Sequence, residues 1–519
     1  MHPALKKLGT IGIVAGLAYM SVFGVPTDWL GEVVEVETYD PRGMSFHTSA
    51  WIVDGNGDHW LRASTRDVGW LDRLRSHPDI HITRDGVRSA FRAEIADAAL
   101  DRVNHWMREK YGRSDELMTA RPVVPVRLLG EDLVLFRDSA GELGLIGRHC
   151  PHRGADMCFG RLEDNGLRCP FHGWHFDRTG QCVEQPGEPE GSRMHEQIRS
   201  VSYPVVERNG IVWAYMGQGE PPGFPNFDCF RAPDTHVFAF KGLWDCNWLQ
   251  ALEVGIDPAH ASFLHRFLQD EDPADSYGKQ FRDTAANTEI PMTKLLRDYP
   301  RPEISVQDTD YGMKLTALRH LNDGRTHVRV TNQIFPGAIC IPMSREMTIT
   351  QWHVPVDDTT CYWYSMFTSF GAPVDKAKMR DQRLQEHRLP DYAPLKNARN
   401  NYGYDADEQA DVTYTGMGLD INVHDQWAVE SMGAIQDRTQ EHLGKTDVAI
   451  IRNRRNLRAA IDAVKTGQMD DLPMHNGTDP ATIFGPVSND AIADGETPEV
   501  ATATSDAARR AACPWAAGV

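Results

Sequence analysis

The stretch 148–177, RHCPHRGADMCFGRLEDNGLRCPFHGWHFD, decides the fold of the middle of the chain. It contains the spacing C-x-H-x16-C-x2-H, made by Cys150, His152, Cys169 and His172, so each of two arms offers one thiolate and one imidazole. A structural zinc site more often has two cysteines in one arm. One cysteine and one histidine per arm suit a [2Fe–2S] cluster of two unlike irons, one held by thiolates and the other by imidazoles. The pattern therefore favours such a cluster over zinc.

The longer segment 127–177 resembles the Rieske domain of ring-hydroxylating non-heme iron oxygenases, in particular the large subunits of the phthalate-dioxygenase-like group. This resemblance extends over roughly residues 120–470. It implies an α+β chain in which an all-β Rieske domain at 119–235 precedes a catalytic domain at 236–475. The catalytic domain is expected to be helix-grip-like, with an antiparallel sheet.

A second group of metal-binding residue types follows in CNWLQALEVGIDPAHASFLHRF, which contains the spacing D-x2-H-x4-H in Asp257, His260 and His265. On a helix at about 100° per residue, these three side chains share one broad face. Two neutral imidazoles and one carboxylate form the facial triad of non-heme Fe(II) oxygenases, which leaves coordination positions for O2 and substrate. The residues alone thus allow Asp257 to be the third ligand of a mononuclear Fe(II).

The resemblance implies another third ligand. In the family a later Asp completes the histidine pair, and the Asp before the first His hydrogen-bonds to a cluster histidine of the neighbouring subunit. The matching segment here is DINVHDQWAVESMGAIQDRTQEHLGKTD, in which His424 replaces the usual Gln before the Asp. This match transfers the ligand role to Asp425, with Asp420 as the alternative. It gives Asp257 a catalytic role in electron transfer between subunits.

Several further residues are candidates for supporting roles. Asn247 and Glu253 stand where the family has polar residues that hydrogen-bond to metal ligands, and ordinary helix capping is the alternative. Strand residues could reach a pocket, although structural roles are more common for them. The arginines that could pair with a substrate carboxylate are Arg319, Arg329 and Arg345, and the histidines are His320, His327 and His353.

The first 118 residues differ from the family pattern. Residues 8–27, LGTIGIVAGLAYMSVFGVPT, carry no charge and are long enough for a membrane anchor, with a signal segment or an ordinary helix as alternatives. An anchor would allow membrane contact through 8–27 and would follow two lysines, an order that places the body of the protein outside the cytoplasm. Electron supply instead favours a cytoplasmic protein, tethered by this segment. Residues 28–118 resemble the split β-barrel domains related to flavin-binding proteins.

Composition excludes some classes of protein. The chain has 519 residues with 54 Lys and Arg against 73 Asp and Glu, and the net charge of −19 argues against a nucleic-acid partner. Nine cysteines in this length do not form a disulfide framework. The segment 476–519 is biased towards Ala, Thr, Asp and Pro, which predicts a disordered tail.

The resemblance also implies an activity. The chain is expected to be a terminal oxygenase that dihydroxylates, monohydroxylates or oxidatively demethylates an aromatic compound, with or without a carboxylate. Electrons would come from NAD(P)H through a flavin- or ferredoxin-type reductase and cross to an adjacent subunit, which implies a homotrimer or a dimer of trimers. One alternative is a membrane-tethered Rieske electron carrier with an inactive second domain. Another is an N-terminal flavin reductase fused to its own oxygenase.

Overall fold

The structure is a computed structural model. It describes residues 10–15, 33–39, 43, 45–55, 57–63, 69–84, 86–96, 99–111, 123–138, 141–163, 165–217, 219–269, 290–468, 472–473 and 482–516. The chain forms two compact units, one of residues 1–127 and 131–221 and the other of residues 128–130 and 222–519. The second unit thus begins before the predicted boundary at 235/236.

The first unit begins with a closed barrel in the strand order β1-β4-β3-β2-β5-β6. Its elements are β1 (Thr10–Ala15), β2 (Val33–Tyr39), β3 (Ser45–Gly55), β4 (Asp58–Ala63), α1 (Gly69–Ser76), β5 (Asp79–Arg84), β6 (Val87–Ile95) and α2 (Leu100–Tyr111). Alternating apolar residues such as Val34, Val36, Ile80 and Ile82 point inward and form the core. The likeness to split barrels of flavin-binding proteins stays a prediction.

Strand β1 lies within residues 8–27, for which a membrane anchor was expected, and it is extended where an anchor or an ordinary helix would be helical. Residues 10–15 pair in parallel with both β4 and β6, so they belong to the barrel. The β-branched Thr10, Ile11, Ile13 and Val14 favour an extended backbone, which an analysis of length and charge alone overlooks. Among the described residues, no helix has the length and apolar character that crossing a membrane requires. The remainder of the predicted anchor lies outside the described residues.

Short antiparallel strands form the rest of the first unit. They are β7 (Val123–Leu128), β8 (Glu131–Arg137), β9 (Leu143–Gly147), β10 (Arg161–Glu163), β11 (Gly166–Arg168), β12 (His175–Asp177), β13 (Cys182–Glu184), β14 (Ser202–Tyr203), β15 (Val205–Arg208) and β16 (Ile211–Ala214). One sheet has the order β10-β11-β12-β13, a second has the order β14-β9-β8-β7, and β15 pairs with β16. Phe136, Leu167 and Phe176 are fully buried between them. This all-β arrangement holds two exposed loops, one before β10 and one before β12.

A large antiparallel sheet is the centre of the second unit. Its strands follow the order β18-β24-β23-β22-β21-β20-β19, and β28 also pairs with β21. The sheet strands are β18 (Val237–Trp244), β19 (Glu303–Thr309), β20 (Gly312–His320), β21 (Thr326–Ile334), β22 (Ala338–Pro342), β23 (Met347–Pro355), β24 (Cys361–Ser369) and β28 (Asn489–Ala493). The short strands outside it are β17 (Asn226–Phe227), β25 (His387–Arg388), β26 (Ala393–Pro394) and β27 (Phe484–Gly485).

Helices cover both faces of this sheet. They are α3 (Asp228–Arg231), α4 (Trp248–Gly255), α5 (Ala261–Leu264), α6 (Met292–Asp298), α7 (Lys376–Leu384), α8 (Ala406–Asp411), α9 (Ile421–Glu430), α10 (Val448–Thr466) and α11 (Pro498–Ala512). Leu252 of α4 and Ile450 of α10 pack against Leu315 and Ile339 of the sheet. This packing holds the carboxyl end of α4 over the sheet face, where the chain next carries Asp257.

The expectation of a disordered tail is wrong for residues 482–516. Strand β28 pairs with β21 in the register Val330↔Asn489 to Thr326↔Ala493, and α11 packs behind them. This segment is ordered because Ala is the strongest helix former and Thr497 caps the helix by accepting a hydrogen bond from the Val500 amide. An alanine-rich amphipathic helix and a disordered segment share this composition.

Candidate metal centres

The two arms of the cysteine–histidine pattern have matching backbone turns. The Gly154 amide donates to the Cys150 carbonyl at 2.8 Å, and the Gly173 amide donates to the Cys169 carbonyl at 2.9 Å. Both glycines are left-handed, with φ of 77° and 75°, a conformation that other residues adopt only with strain. The repeated turn explains why the glycine stands four residues after the cysteine in each arm. It places two equivalent loops side by side.

These loops bring the four predicted cluster ligands together. Cys150 and Cys169 are buried and their thiols contact each other, and burial raises the pKa of Cys150 to about 11. The rings of His152 and His172 are 4.4 Å apart and less buried, with His152 stacked on Trp174. Thiols therefore lie inside and imidazoles nearer the surface.

A [2Fe–2S] cluster fits this group. Nδ1 of His172 is buried and has no hydrogen-bond partner among the residues that the structure describes. A buried thiol pair that resists ionisation becomes thiolate only beside a cation, which the irons supply. The separation into a thiol pair and an imidazole pair suits two unlike irons.

The second predicted centre is built from two helices of the second unit. Nε2 of His260 is 3.1 Å from Nε2 of His265, and Oδ1 of Asp425 is 3.2 Å from Nε2 of His265 and 3.7 Å from that of His260. His260 and His265 flank the short helix α5, and Asp425 lies on α9. No other group of three such side chains within the described part of the chain converges in this way.

The backbone near this centre differs from the expected continuous helix. Helix α4 ends at Gly255, and α5 begins only after His260. Pro258 explains the break, because proline lacks an amide donor and disfavours helical geometry in the residue before it. The Asp257 carboxylate accepts a hydrogen bond from the Ala259 amide at 2.8 Å, which makes a turn in place of helix.

Hydrogen bonds set which nitrogen of each histidine is free. Nδ1 of His260 contacts the Asp257 carbonyl, which can only accept, so Nδ1 carries the proton and Nε2 a lone pair. Nε2 of His424 is likewise 2.9 Å from the Gly418 carbonyl, which leaves His424 Nδ1 to accept from His265 Nδ1 at 3.4 Å. The Nε2 atoms of His260 and His265 therefore both carry lone pairs, and they lie 3.1 Å apart. Two lone pairs this close repel each other unless both bind the same cation.

The charges suit the same cation. Burial lowers the pKa of His260. Burial alone would raise the pKa of Asp425, but the pKa is lowered, because positive charge on the neighbouring imidazoles, which only protonation of His265 or His260 supplies, stabilises the carboxylate. Two neutral imidazoles and one carboxylate are the donor set of a non-heme Fe(II) site, so the residues fit a mononuclear iron.

Two other acids lie outside this convergence. Asp257 lines the approach to His260 without joining the three donor atoms. Asp420 is buried in an ion pair with Arg383 and caps α9 through the Asn422 amide. The carboxylate nearest to both imidazoles is therefore that of Asp425.

The supporting candidates occupy different places. Asn247 caps α4 through the Leu249 amide, and Glu253 forms an ion pair with Arg454, so neither contacts the histidine pair. Sequence reasoning assigned no role to His424, although its departure from the family pattern was visible. His320 is exposed, whereas His353 lines the cavity beside the centre and burial lowers its pKa to about 4.

A cavity of about 240 Å³ opens beside the three donor atoms. Its walls are mostly apolar, and its polar residues include Arg319, Arg329 and Asp490. Arg345 is not among its lining residues. A wider groove of about 850 Å³ reaches His260 from outside and is lined by Asp257, Phe263, Tyr404 and Tyr414. The cavity can therefore admit a small molecule to the three donor atoms, and the groove can separately receive the surface of another protein molecule.

Comparisons with known proteins match the two segments that contain the proposed metal ligands. Residues 108–203 match the model of the Rieske [2Fe-2S] domain, and residues 214–481 match that of the LigXa C-terminal domain like family. The chain is 34% identical over 363 residues to the phthalate 4,5-dioxygenase oxygenase subunit of Pseudomonas putida, covering 66% of this chain and 78% of the relative.

Two further relatives are similar at about the same level. The chain is 31% identical to the 3-chlorobenzoate-3,4-dioxygenase oxygenase subunit of Comamonas testosteroni, covering 68% of this chain and 82% of the relative. It is also 31% identical to the 5,5'-dehydrodivanillate O-demethylase oxygenase subunit of Sphingobium sp. (strain NBRC 103272 / SYK-6), covering 72% of this chain and 80% of the relative.

Proposed function

The chain belongs to the Rieske non-heme iron oxygenases with a LigXa-type C-terminal domain, and from this premise we propose that it hydroxylates or demethylates an aromatic carboxylate whose carboxylate binds Arg319. As the oxygenase component of such a system, it is an enzyme that uses O2 and electrons from NAD(P)H through a reductase or ferredoxin. Its cofactors are a [2Fe–2S] cluster and a mononuclear non-heme iron. The electron-carrier alternative is not favoured, because a carrier has no use for a second iron site beside a cavity.

The ligand assignment is part of this proposal. Cys150 and Cys169 would hold one iron of the cluster, and His152 and His172 the other. His260, His265 and Asp425 would hold the mononuclear iron. When bound, the cluster supplies single electrons and the mononuclear iron supplies the oxygen chemistry.

The chain's own residues bind and orient the substrate. The mostly apolar wall of the cavity suits an aromatic ring and limits the entry of water. Arg319 lines this cavity and is almost completely buried, and burial lowers its pKa to about 10, so the side chain still carries its charge at neutral pH. Within the described part of the chain its Nη1 has no hydrogen-bond partner.

The unpartnered Nη1 of Arg319 is the observation that supports an aromatic carboxylate as the substrate. A buried guanidinium without a carboxylate is costly, and a substrate carboxylate would relieve that cost by a charge-assisted hydrogen bond. Such a bond fixes the position of the ring relative to the three donor atoms that line the same cavity. Two relatives act on phthalate and 3-chlorobenzoate, which are aromatic acids.

Turnover coupled to NADH and a compatible reductase tests this function. The purified oxygenase should convert members of a panel of aromatic acids, and Arg319→Gln should raise KM for an acid by about tenfold while leaving the matching aromatic amide unaffected. Equal kinetics of Arg319→Gln and the unaltered enzyme on acids would contradict the carboxylate anchor. Absence of O2-dependent product from every aromatic compound would contradict the function as a whole.

We also propose that the chain forms an oligomer, because two exposed apolar surfaces lie beside the two metal centres. The groove outside His260 has Asp257 in its wall and half-exposed aromatic side chains such as Phe263, Tyr404 and Tyr414. In the first unit, Phe171 is 55% exposed and its ring lies 3.9 Å from that of His172. An exposed apolar surface around a histidine and an exposed apolar groove around a carboxylate suit docking between two copies of the chain.

Mass measurement by light scattering tests this arrangement. The holoenzyme should be a trimer or a dimer of trimers. Asp257→Asn should keep both the assembly and the iron but slow oxidation of the reduced cluster by about 10²-fold or more, because the carboxylate between the centres is lost. A monomer with full activity, or an Asp257→Asn variant with unchanged oxidation of the cluster, would contradict it.

A further inference from the structure

Sheet register gathers four charged or titratable side chains at one end of the cavity. Arg319 of β20 lies opposite His327 of β21, and Arg329 of β21 lies opposite Asp490 of β28. Because alternate residues of a strand face the same side, His327 and Arg329 share a face, and their cross-strand partners share it too. Two guanidinium groups and one carboxylate therefore meet at this end of the cavity.

Asp490 forms an ion pair with one of the two guanidinium groups, that of Arg329. Nη1 of Arg329 donates to Oδ2 of Asp490 at 2.7 Å, and Nη2 donates to the Pro342 carbonyl at 2.8 Å. The other carboxylate oxygen, Oδ1, is 3.2 Å from Nε2 of His327. Asp490 is buried, so this pair is shielded from solvent and its geometry is held by the strands. Arg329 thus has both terminal nitrogens engaged before any ligand enters.

Arg319 differs from Arg329 because none of its contacts is a carboxylate. Its Nε donates to the Tyr299 carbonyl at 3.2 Å, and Nη2 contacts the Pro258 carbonyl at 3.4 Å and Ser262 Oγ at 3.3 Å. All these acceptors are neutral. Among the charged residues that the structure describes at this end, Arg319 is therefore the positive charge that lacks a negative partner.

Asp490, which pairs with Arg329 but not with Arg319, belongs to the C-terminal segment. Asp490 follows residue 481, where the match to the catalytic-domain family ends. Its strand is fixed by α11, because Asn489 Nδ2 donates to the Thr502 carbonyl at 3.1 Å and Arg509 Nη1 donates to the Ser488 carbonyl at 3.0 Å. On the face opposite Asp490, Ala491 and Ala493 pack with α11. The carboxylate is therefore held by a structured addition to the catalytic domain.

We propose that Asp490 is a specificity residue that restricts the cavity to aromatic substrates with a single carboxylate, by occupying Arg329 and leaving Arg319 alone to bind the anion. This inference rests on the proposed function for the aromatic acid itself. A second substrate carboxylate would lie near Asp490, without a free cation to bind it, and like charges at this burial repel strongly. Removal of the Asp490 charge frees Arg329 and creates a second anion site at a fixed distance from the first.

Calorimetric titration of the iron-loaded oxygenase, without reductase, tests the proposal with benzoate and the three isomeric benzenedicarboxylates. The unaltered enzyme should bind benzoate about tenfold more tightly than any dicarboxylate. Asp490→Asn should raise the affinity for one dicarboxylate isomer by about tenfold and change that for benzoate by less than about threefold. Asp494→Asn removes an exposed carboxylate from the same segment and should behave as the unaltered enzyme.

A second set of variants keeps the test decisive if Asp490→Asn does not fold. Arg329→Gln should lower benzoate affinity by about tenfold, because Asp490 then lacks its cation and competes for Arg319, and Arg319→Gln should lower it by a similar factor. The double variant Asp490→Asn with Arg329→Gln should lose the gain in dicarboxylate affinity.

Different outcomes would overturn the role of Asp490 and the binding of a substrate carboxylate by Arg319. A gain shared equally by all three isomers, no gain at all, or unchanged benzoate affinity in Arg329→Gln would overturn the role of Asp490 while leaving the aromatic acid as substrate. Unchanged benzoate binding in Arg319→Gln, or no binding of any of these acids to the unaltered enzyme and Asp490→Asn alike, would overturn the carboxylate anchor as well.

Discussion

Nδ1 of His265 lies 3.4 Å from Nδ1 of His424, and the two imidazole rings are within 25° of parallel. The Gly418 carbonyl accepts from Nε2 of His424, so the only proton between the two Nδ1 atoms belongs to His265. His424 thereby fixes the tautomer that directs a lone pair of His265 towards Asp425 and His260. It is a positioning residue behind a proposed ligand.

His424→Leu should weaken binding of the mononuclear iron by about tenfold or more, because His265 loses the acceptor that orients it. His424→Gln should bind iron nearly as well, since the amide oxygen can accept the same proton. Titration of iron-depleted protein with Co(II), followed by its visible absorption, measures the affinity. Equal losses in both variants would show that the imidazole only fills space.

Asp425→Ala should lower the iron content from about three to about two per chain and leave the visible spectrum of the cluster intact. The reason is that two imidazoles alone hold Fe(II) weakly, while the cluster lies in the other unit. Metal analysis together with absorption spectroscopy checks this. Asp420→Asn is the control: it breaks the pair with Arg383 and should reduce stability, yet keep about three irons. Loss of iron in Asp420→Asn alone would reverse the assignment.

The proximity of the four proposed cluster ligands could be predicted because they are close in sequence. Cys150 and His152, and Cys169 and His172, lie within two short loops, so their spacing reflects their geometry directly. The helix around Asp257 was predicted less well, since angular positions on an ideal helix ignore the break that Pro258 makes. The break places Asp257 on a turn, apart from His260 and His265, which flank the next helix.

The polar end of the cavity could not be predicted in the same way. Arg329 and Asp490 are 161 residues apart in sequence, and only the pairing of β21 with β28 makes them neighbours. Composition had assigned the second of these strands to a disordered tail. Cross-strand partners depend on the register of the whole sheet, which no short pattern in either segment reveals.

His387 should make the second unit less stable in acid. Burial, with the nearby Arg383 charge, lowers its pKa to about 4 from the usual 6.5 of histidine. Between about pH 6.5 and 4, His387 is therefore protonated in the unfolded chain but neutral in the folded chain. The free energy of unfolding consequently falls as the pH is lowered through that range. The loss should reach roughly 2 kcal/mol between pH 7.5 and 5.

Denaturant unfolding at these two pH values measures this contribution. His387→Gln should be less stable than the unaltered protein at pH 7.5 but should lack that part of the pH dependence, because the glutamine does not titrate. His320→Gln removes an exposed histidine and is the matched control. The same slope with pH in His387→Gln and the unaltered protein would contradict the role of His387.

Ala501→Asp should destabilise the second unit, whereas Val500→Asp on the same helix should not. Ala501 is 5% exposed and packs against Val328 and Val330 of β21, while Val500 is 53% exposed. A carboxylate at position 501 would be buried without a cation, at a cost of about 3 kcal/mol or more, but at position 500 it would remain in water, with an effect of about 0.5 kcal/mol or less. Thermal unfolding of both variants measures the difference. Equal melting temperatures would mean that α11 does not pack on the sheet, and the position of Asp490 would then lose its support.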